Sequence, residues 1–307
     1  MSTVVIRPYV DQLRIQGFGS FADTTLALTP IHAIIGPSDT GKTTVLRALR
    51  AMSKYAQMQN VHATSTEFGL YAHETARLEV RVAGKGCAIV SRDRSGWGEH
   101  HLDEEARDAL GGQHVLRLQP DALREASALI PEGTPLRFVD ERGLGLPGVY
   151  DAIASRDVAT YMALSNRLAK LFPFVKSVSL VNASPQTKAL GVLLEDGVFI
   201  SSATASDGLL RWLAFAAVPY LAPAALILVE EPENGLHPAA VRDVMTLLRE
   251  VSAKVQVVIA THSPAVVGEL DRSEVTVLRR DDRGAIHAML LSDAPPLDVG
   301  PSVPALG

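Results

Sequence analysis

The segment "IHAIIGPSDTGKTTVLRALRAM", Ile31 to Met52, restricts the fold more than any other part of the chain. A short apolar run enters a glycine-containing turn. It leaves as a stretch with apolar residues at helical spacing, Val45, Leu46, Leu49 and Met52. A strand that is apolar on both faces and feeds straight into a helix belongs to an α/β core with a largely parallel sheet. The turn, "GPSDTGKT" from Gly36 to Thr43, fits G-x-x-x-x-G-K-[ST] with the strand before and the helix after that this motif requires. Its glycines let backbone N–H groups converge on phosphate oxygens without Cβ interference, and the helix N-terminus adds partial positive charge. Gly36, Ser38, Asp39, Thr40, Gly41, Lys42, Thr43 and Thr44 are therefore the expected nucleotide-binding residues. Lys42 is expected to reach the β and γ phosphates of ATP, and the Thr43 hydroxyl to ligate Mg2+.

A second apolar run poses a problem that this loop resolves. "LILVEEPENGLHP", Leu226 to Pro238, ends in adjacent carboxylates, Glu230 and Glu231. Ionised carboxylates are costly to bury without a partner. A Mg2+-bound triphosphate supplies the cation if the carboxylate strand lies beside the strand of the phosphate loop. Glu230 is then expected near the metal, through water, and Glu231 at the attacking water as general base.

The 307 residues are 47% hydrophobic and 21% charged, enough for one large globular domain or two small ones. The formal charge of −5 gives no global basic field for nucleic acid. A single cysteine, Cys87, rules out a disulfide framework and a Cys-rich zinc site, and fits a reduced, cytoplasmic setting. No signal peptide is expected, and no charge-free apolar run approaches the ~18 residues of a membrane helix. Strands are expected at "VDQLRIQGF", "TTLALTP", "HVLRLQ", "VKSVSLVNA", "VQVVIATHSP", "VTVLRRD" and "IHAMLL". "ARLEVRVAG" and "GCAIVSRD" read as a hairpin around Gly84 and Gly86, and "GWGEHHLDEEARDALGG" as a polar loop with a short helix. "VYDAIASRDVATYMALSNRLAKLFP" reads as one long helical stretch or two, and residues 209–217 as another helix with Trp212 and Phe215 in the core.

Further pieces now fall in order. "ASDG", Ala205 to Gly208, before a helix, resembles the signature loop of ABC-type ATPases. "EEPENGLHP" resembles their catalytic strand and D-loop, and "VVIATHSP" their switch strand with His262 at its end. The wording is most similar to the SMC-like AAA group that includes RecF and OLD-family proteins. The resemblance spans "LRIQGFGSF" to about Leu291. It implies an α/β fold: an ABC-type P-loop ATPase head with a mixed, largely parallel sheet core, an antiparallel β subdomain and a small helical lobe. One ATPase domain is expected over residues 1–291, with a nucleotide-binding lobe from about 1–118 and 205–291, a helical and signature lobe over about 119–204, and a Pro-rich tail over 292–307.

The resemblance also implies a homodimer that sandwiches ATP and Mg2+. Ser206 and Gly208 contact the γ-phosphate bound to the opposite subunit, Ser206 being also a candidate helix N-cap. His262 senses that phosphate from the same subunit as Lys42. Gln119 is the candidate glutamine at the metal, with Gln57 and Gln59 as alternatives. The chain departs from the family pattern at Ser38, where Asn is usual, at Thr43 for Ser, at Glu230 for Asp, and at Gly19 for a basic residue. Between residues 60 and 200 no heptad run marks a coiled coil, and too little chain follows His262 for a TOPRIM nuclease domain. An ATPase switch controlling DNA repair, anti-phage defence or a separate nuclease-like effector is the implied function, with DNA a possible ligand and no membrane. The alternatives are a transporter's nucleotide-binding subunit and an ATP-gated scaffold that does not hydrolyse. Two other features stand outside this scheme. "EHHLDEE", Glu99 to Glu105, offers metal-ligating types without a further cluster, and Arg77, Arg81, Arg92 and Arg94 are the best candidates for a phosphate-backbone contact.

Overall fold

Alternation along the buried strands sets the layering, because successive side chains of a strand point to opposite faces. A computed structural model describes residues 8–83, 86–282 and 284–294. Its central sheet contains β3 (Ile31–Ile35), β7 (Gln113–Leu116), β12 (Leu226–Glu230), β13 (Gln256–Thr261), β14 (Val275–Arg280) and β15 (Ile286–Leu290). The order is β15-β14-β3-β13-β12-β7, all parallel except β15. Leu226, Leu228, Val258 and Ala260 enter one hydrophobic core, while Ile227, Val229, Val257 and Ile259 enter the other. Both faces of these strands are covered, which is why they read as continuous apolar runs.

One core lies under α1 (Lys42–Met58), α3 (Glu104–Leu110) and an antiparallel sheet of order β2-β1-β4-β5-β6. Those strands are β1 (Val10–Phe18), β2 (Phe21–Ala27), β4 (Ala72–Val82), β5 (Gly86–Asp93) and β6 (Gly96–Leu102). The buried amide of Gln256 joins the two sheets: it accepts from Val10 N at 3.0 Å and donates to Val10 O at 2.8 Å and Thr29 O at 3.1 Å. The other core lies under α5 (Leu146–Arg156), α6 (Val158–Leu171), α7 (Asp207–Ala217) and α8 (Pro238–Ser252). Between β7 and α7 the chain also forms α4 (Pro120–Arg124) and a small sheet of β8 (Ser127–Ala128), β9 (Val175–Ser184), β10 (Thr187–Leu194) and β11 (Phe199–Ser201). Two short helices, α2 (Ser65–Tyr71) and α9 (Pro264–Val267), complete the set.

Trp212 and Phe215 are core residues as expected, and Trp212 Nε1 donates to Asp243 across the α7–α8 contact at 2.7 Å. The long amphipathic stretch is two helices, since Asp157 caps α6 by accepting from Ala159 N and Thr160 N.

Three expectations change. "GWGEHHL" is the edge strand β6, not loop, because pairing with β5 satisfies a backbone whose side chains give no apolar alternation. β2 begins at Phe21, where Phe21 packs into the core beside α1. The carboxylate strand β12 does not lie beside β3; β13 runs between them. Gly84 and the tail from residue 295 lie outside the described residues.

A buried histidine on β3 gives this fold a pH dependence. His32 is fully buried between Thr29, at 3.0 Å from Nδ1, and Thr276, at 2.8 Å from Nε2. Burial lowers its pKa from 6.5 to about 4, against a small opposing pull from Glu274. A depressed histidine favours the neutral folded form, so its contribution is whole above pH 6.5 and is lost as pH falls towards 4. Urea unfolding should lose on the order of 3 kcal/mol from this group over that window. His32→Leu should flatten the slope there; an unchanged slope would place the titration elsewhere.

Candidate nucleotide site

The phosphate loop forms where β3 ends and α1 begins, and Lys42 is the first residue of α1. Asp39 takes a left-handed φ of 63° and Gly41 one of 93°, the kind of backbone that lets successive N–H groups form an anion-binding concavity. Thr40 Oγ1 donates to Pro37 O at 2.8 Å, and Arg280 of β14 donates to Asp39 O at 2.6 Å. Lys42 Nζ donates to the carbonyls of Gly36 and Pro37, both at 2.8 Å. The ammonium thus rests on the loop's own carbonyl oxygens. Ser38 is exposed at the loop tip and Thr44 is buried beneath it. Gly19 explains its own departure from the basic pattern: a Cβ there would lie 2.5 Å from Thr44 Cγ2, at a φ of 59°.

Although β13 intervenes, Thr43 still reaches the carboxylate strand, because the first turn of α1 crosses the strand ends. Thr43 Oγ1 donates to Glu230 Oε1 at 2.5 Å. A hydroxyl and a carboxylate converging here are hard oxygen donors, and Glu230 keeps only 14% of its side-chain surface. That donor set fits Mg2+, which favours oxygen ligands and substrate phosphates. The second oxygen of Glu230 accepts from Arg117 Nε, just past the end of β7. This contact strengthens the Arg117 guanidinium's hold on its proton. Arg117, not Gln119, is therefore the residue brought to Glu230. Gln119 is exposed at the N-cap of α4, and its backbone N donates to Arg142 O at 3.0 Å. Gln57 donates to Ser53 on α1, and Gln59 is the C-cap of that helix.

Glu231 is held differently from its neighbour. It takes a φ of 48°, rare for a non-glycine residue, while its N–H still donates to Ala260 O at 2.8 Å. The kink turns its side chain away from the strand's own direction. Asn234 Nδ2 donates to Oε2 at 2.6 Å, and His262 Nδ1 lies 3.2 Å from Oε1. His262 sits at the end of β13, between the phosphate loop and the glutamates in strand order, and is 59% exposed. Glu233 accepts from Thr261 Oγ1 at 2.6 Å and lies 3.6 Å from His262.

The signature segment packs on the same corner. Ser206 is the N-cap of α7, its Oγ accepting from Leu209 N at 3.4 Å. A Cβ on Gly208 would stand 2.3 Å from Gly235 O, so only glycine lets α7 begin against the loop that follows Glu231. The hydrogen bonds of Ser206 and Gly208 among the described residues stay within α7 and do not reach the phosphate loop. Arg124 of α4 donates to Asp207 Oδ1 at 2.5 Å and to Ala205 O at 3.2 Å, and Ser202 donates back to Arg124 O at 2.8 Å. Arg211, one turn along α7, is pushed down in pKa by burial, with Asp207, Glu231 and Glu233 opposing.

The sequence reading missed Arg117, Arg124, Arg211, Glu233 and Asn234. Arg211 had a signal, standing four residues after Asp207 on a helix, where it faces the same side. Arg117 and Arg124 had none, since their partners are distant in the chain. Of the basic candidates on the antiparallel sheet, Arg77 pairs with Glu79 and Glu99, Arg81 with Glu79 and Arg94 with Glu74. Those three guanidiniums are engaged with carboxylates.

Two family models match the chain: "AAA ATPase domain" over residues 9–99, and "AAA domain, putative AbiEii toxin, Type IV TA system" over residues 128–268. Among solved structures, an SMC head bound to the C-terminal winged-helix domain of ScpA is similar at a TM-score of 0.63 and 17% identity, covering 92% of this chain and 98% of that one. The SMC head domain from Thermotoga maritima is similar at 0.53 and 16%, with coverage of 92% and 98%. An SMC head from Pyrococcus furiosus, with an extended coiled coil and bound to the C-terminal domain of ScpA, is similar at 0.60 and 14%, with coverage of 92% and 96%. No curated protein sequence matches. No helix among the described residues is long and apolar enough to cross a membrane.

Proposed function

We propose that this chain, with the fold of an SMC head and with AAA ATPase domain models matching in both halves, is an ABC-type, ATP-hydrolysing switch that closes as a homodimer around ATP. The observation that carries this reading is the meeting of Thr43 with Glu230, while Glu231 turns aside to face His262. On nucleotide binding, Lys42 Nζ exchanges the Gly36 and Pro37 carbonyls for β- and γ-phosphate oxygens, and the N–H groups at the start of α1 cradle the phosphates. Thr43 and Glu230 would hold Mg2+, which would supply charge neutralisation on the triphosphate when bound, and Arg117 sets the position of Glu230 through its contact with the second carboxylate oxygen. Glu231, fixed through Oε2 by Asn234, accepts the proton of the attacking water at its other oxygen. His262 donates to the γ-phosphate region from the same subunit. Ser206 and the N–H of Gly208 complete the site of the opposite subunit.

The output is proposed to lie in a separate effector, nuclease-like in chemistry. The SMC heads solved with ScpA domains support a head of this fold serving a separate chain. The family label of the second half supports a defence or toxin-linked setting over transport. DNA is a proposed ligand of the closed dimer.

Sedimentation should show a monomer that becomes a dimer with ATP and Mg2+. Arg124→Ala should leave nucleotide affinity unchanged and weaken that dimer tenfold or more. Losing the half-exposed ion pair with Asp207, worth up to ~1 kcal/mol, and the charge-assisted bond to Ala205 O, worth ~1.5–3 kcal/mol, frees the signature loop. A chain that stays monomeric with ATP, or an Arg124→Ala variant that dimerises normally, counts against the sandwich.

A further inference from the structure

The histidine-rich strand β6 acquires a partner that its sequence does not reveal. Among the described residues, one group of cysteine, histidine and acidic side chains, Cys87, His101 and Asp103, brings its ligating atoms within 4.8 Å of one another. Cys87 follows Gly86 at the start of β5, His101 lies near the end of β6, and Asp103 precedes α3. The β5–β6 pairing sets Ile89 opposite His101 and Ala88 opposite Leu102, which brings the end of β6 back beside Cys87.

The group is fixed before any ligand arrives. Asp103 N donates to Cys87 O at 3.0 Å, and Cys87 N donates to Asp103 Oδ2 at 2.8 Å. One carboxylate oxygen is thus anchored by a backbone N–H, an outer contact that orients the other oxygen as a ligand. That other oxygen, Oδ1, lies 2.7 Å from His101 Nε2. Sulfur, imidazole nitrogen and carboxylate oxygen converge, and the histidine and aspartate keep 51% and 34% of their side-chain surface, so the approach is open. We propose that Cys87, His101 and Asp103 form a binding site for a borderline-soft divalent cation, zinc in particular, with water in the remaining position.

The ligand types choose the metal class. Thiolate and imidazole favour zinc or cobalt, whereas Mg2+ and Ca2+ favour oxygen alone. The cation would take its place among Sγ, Nε2 and Oδ1, displacing the histidine–aspartate contact; the thiol proton leaves to solvent, and the neutral imidazole carries its one remaining proton on Nδ1. The site ties the outer hairpin to α3, which Ser53 of α1 grips through Leu110 O at 2.7 Å. It uses no residue of the nucleotide site, so it stands or falls independently of the ATPase reading.

Cobalt(II) titration of the full chain without nucleotide tests this. One equivalent should produce a thiolate-to-cobalt charge-transfer absorption. Cys87→Ser should abolish the band, and zinc should displace the cobalt. His101→Ala and Asp103→Asn should each weaken binding by about tenfold or more, as loss of a supporting partner alone costs 10–100-fold. Zinc should raise the melting temperature of the wild type but not of His101→Ala; the exposure of His101 predicts that this variant melts like the wild type in chelator. Absence of the charge-transfer band overturns the proposal. So does a band of unchanged affinity in both His101→Ala and Asp103→Asn, which would show a thiol acting alone.

Discussion

Glu231→Gln is expected to bind ATP as tightly as the wild type and to release phosphate about 10²–10⁴-fold more slowly, the range contributed by a positioned general base. The amide keeps the shape of the side chain and its contact with Asn234, with one difference. A glutamine can present either oxygen or nitrogen to Asn234 and His262, but neither atom accepts a proton from water at neutral pH. ATP should consequently hold the variant as a stable dimer, detected by sedimentation after excess nucleotide is removed. Phosphate release equal to wild type would remove Glu231 from the base role. A variant and a wild type that both bind ATP without turnover would instead favour a non-hydrolysing scaffold.

Lys42→Ala should lose nucleotide affinity by about ten- to a hundredfold, the equivalent of one charge-assisted hydrogen bond at ~1.5–3 kcal/mol. The fold should be little affected. Lys42 is partly exposed, and the Gly36 and Pro37 carbonyls that it serves are near solvent. Calorimetry with ATP and Mg2+, beside thermal melts in nucleotide-free buffer, separates the two effects. Unchanged affinity would mean that the ammonium stays on the loop carbonyls when nucleotide binds. A large drop in melting temperature would make those two carbonyl bonds the main role of the residue.

The strands of the central sheet could be read from the chain because both of their faces are covered, which leaves unbroken apolar runs. The antiparallel sheet was legible where side chains alternate, as in β4, and illegible in β6, whose "GWGEHHL" is an edge strand with mostly polar or small side chains. Edge strands are held by backbone pairing, for which side chains give no code. The phosphate-loop pattern was legible because it is local: its glycines, lysine and threonine lie within one segment, Gly36 to Thr43. Glu231 and His262 could be placed in order, but the left-handed turn at Glu231 that gives it different contacts from those of Glu230 has no sequence mark.

By itself, the sequence determined three features whose physics is local: the strand–loop–helix with the phosphate-loop pattern, the paired carboxylates closing an apolar strand, and the N-cap of α7 at Ser206. Tertiary structure alone decided which distant groups meet. It set β13 between β3 and β12, brought Arg117 to Glu230 and Arg124 to Asp207, and folded Cys87 against His101 and Asp103. The reason is that ion pairs and ligand clusters act over a few ångströms of space, whereas strand order is fixed by how two cores share a single sheet, and no short window of sequence records that arrangement.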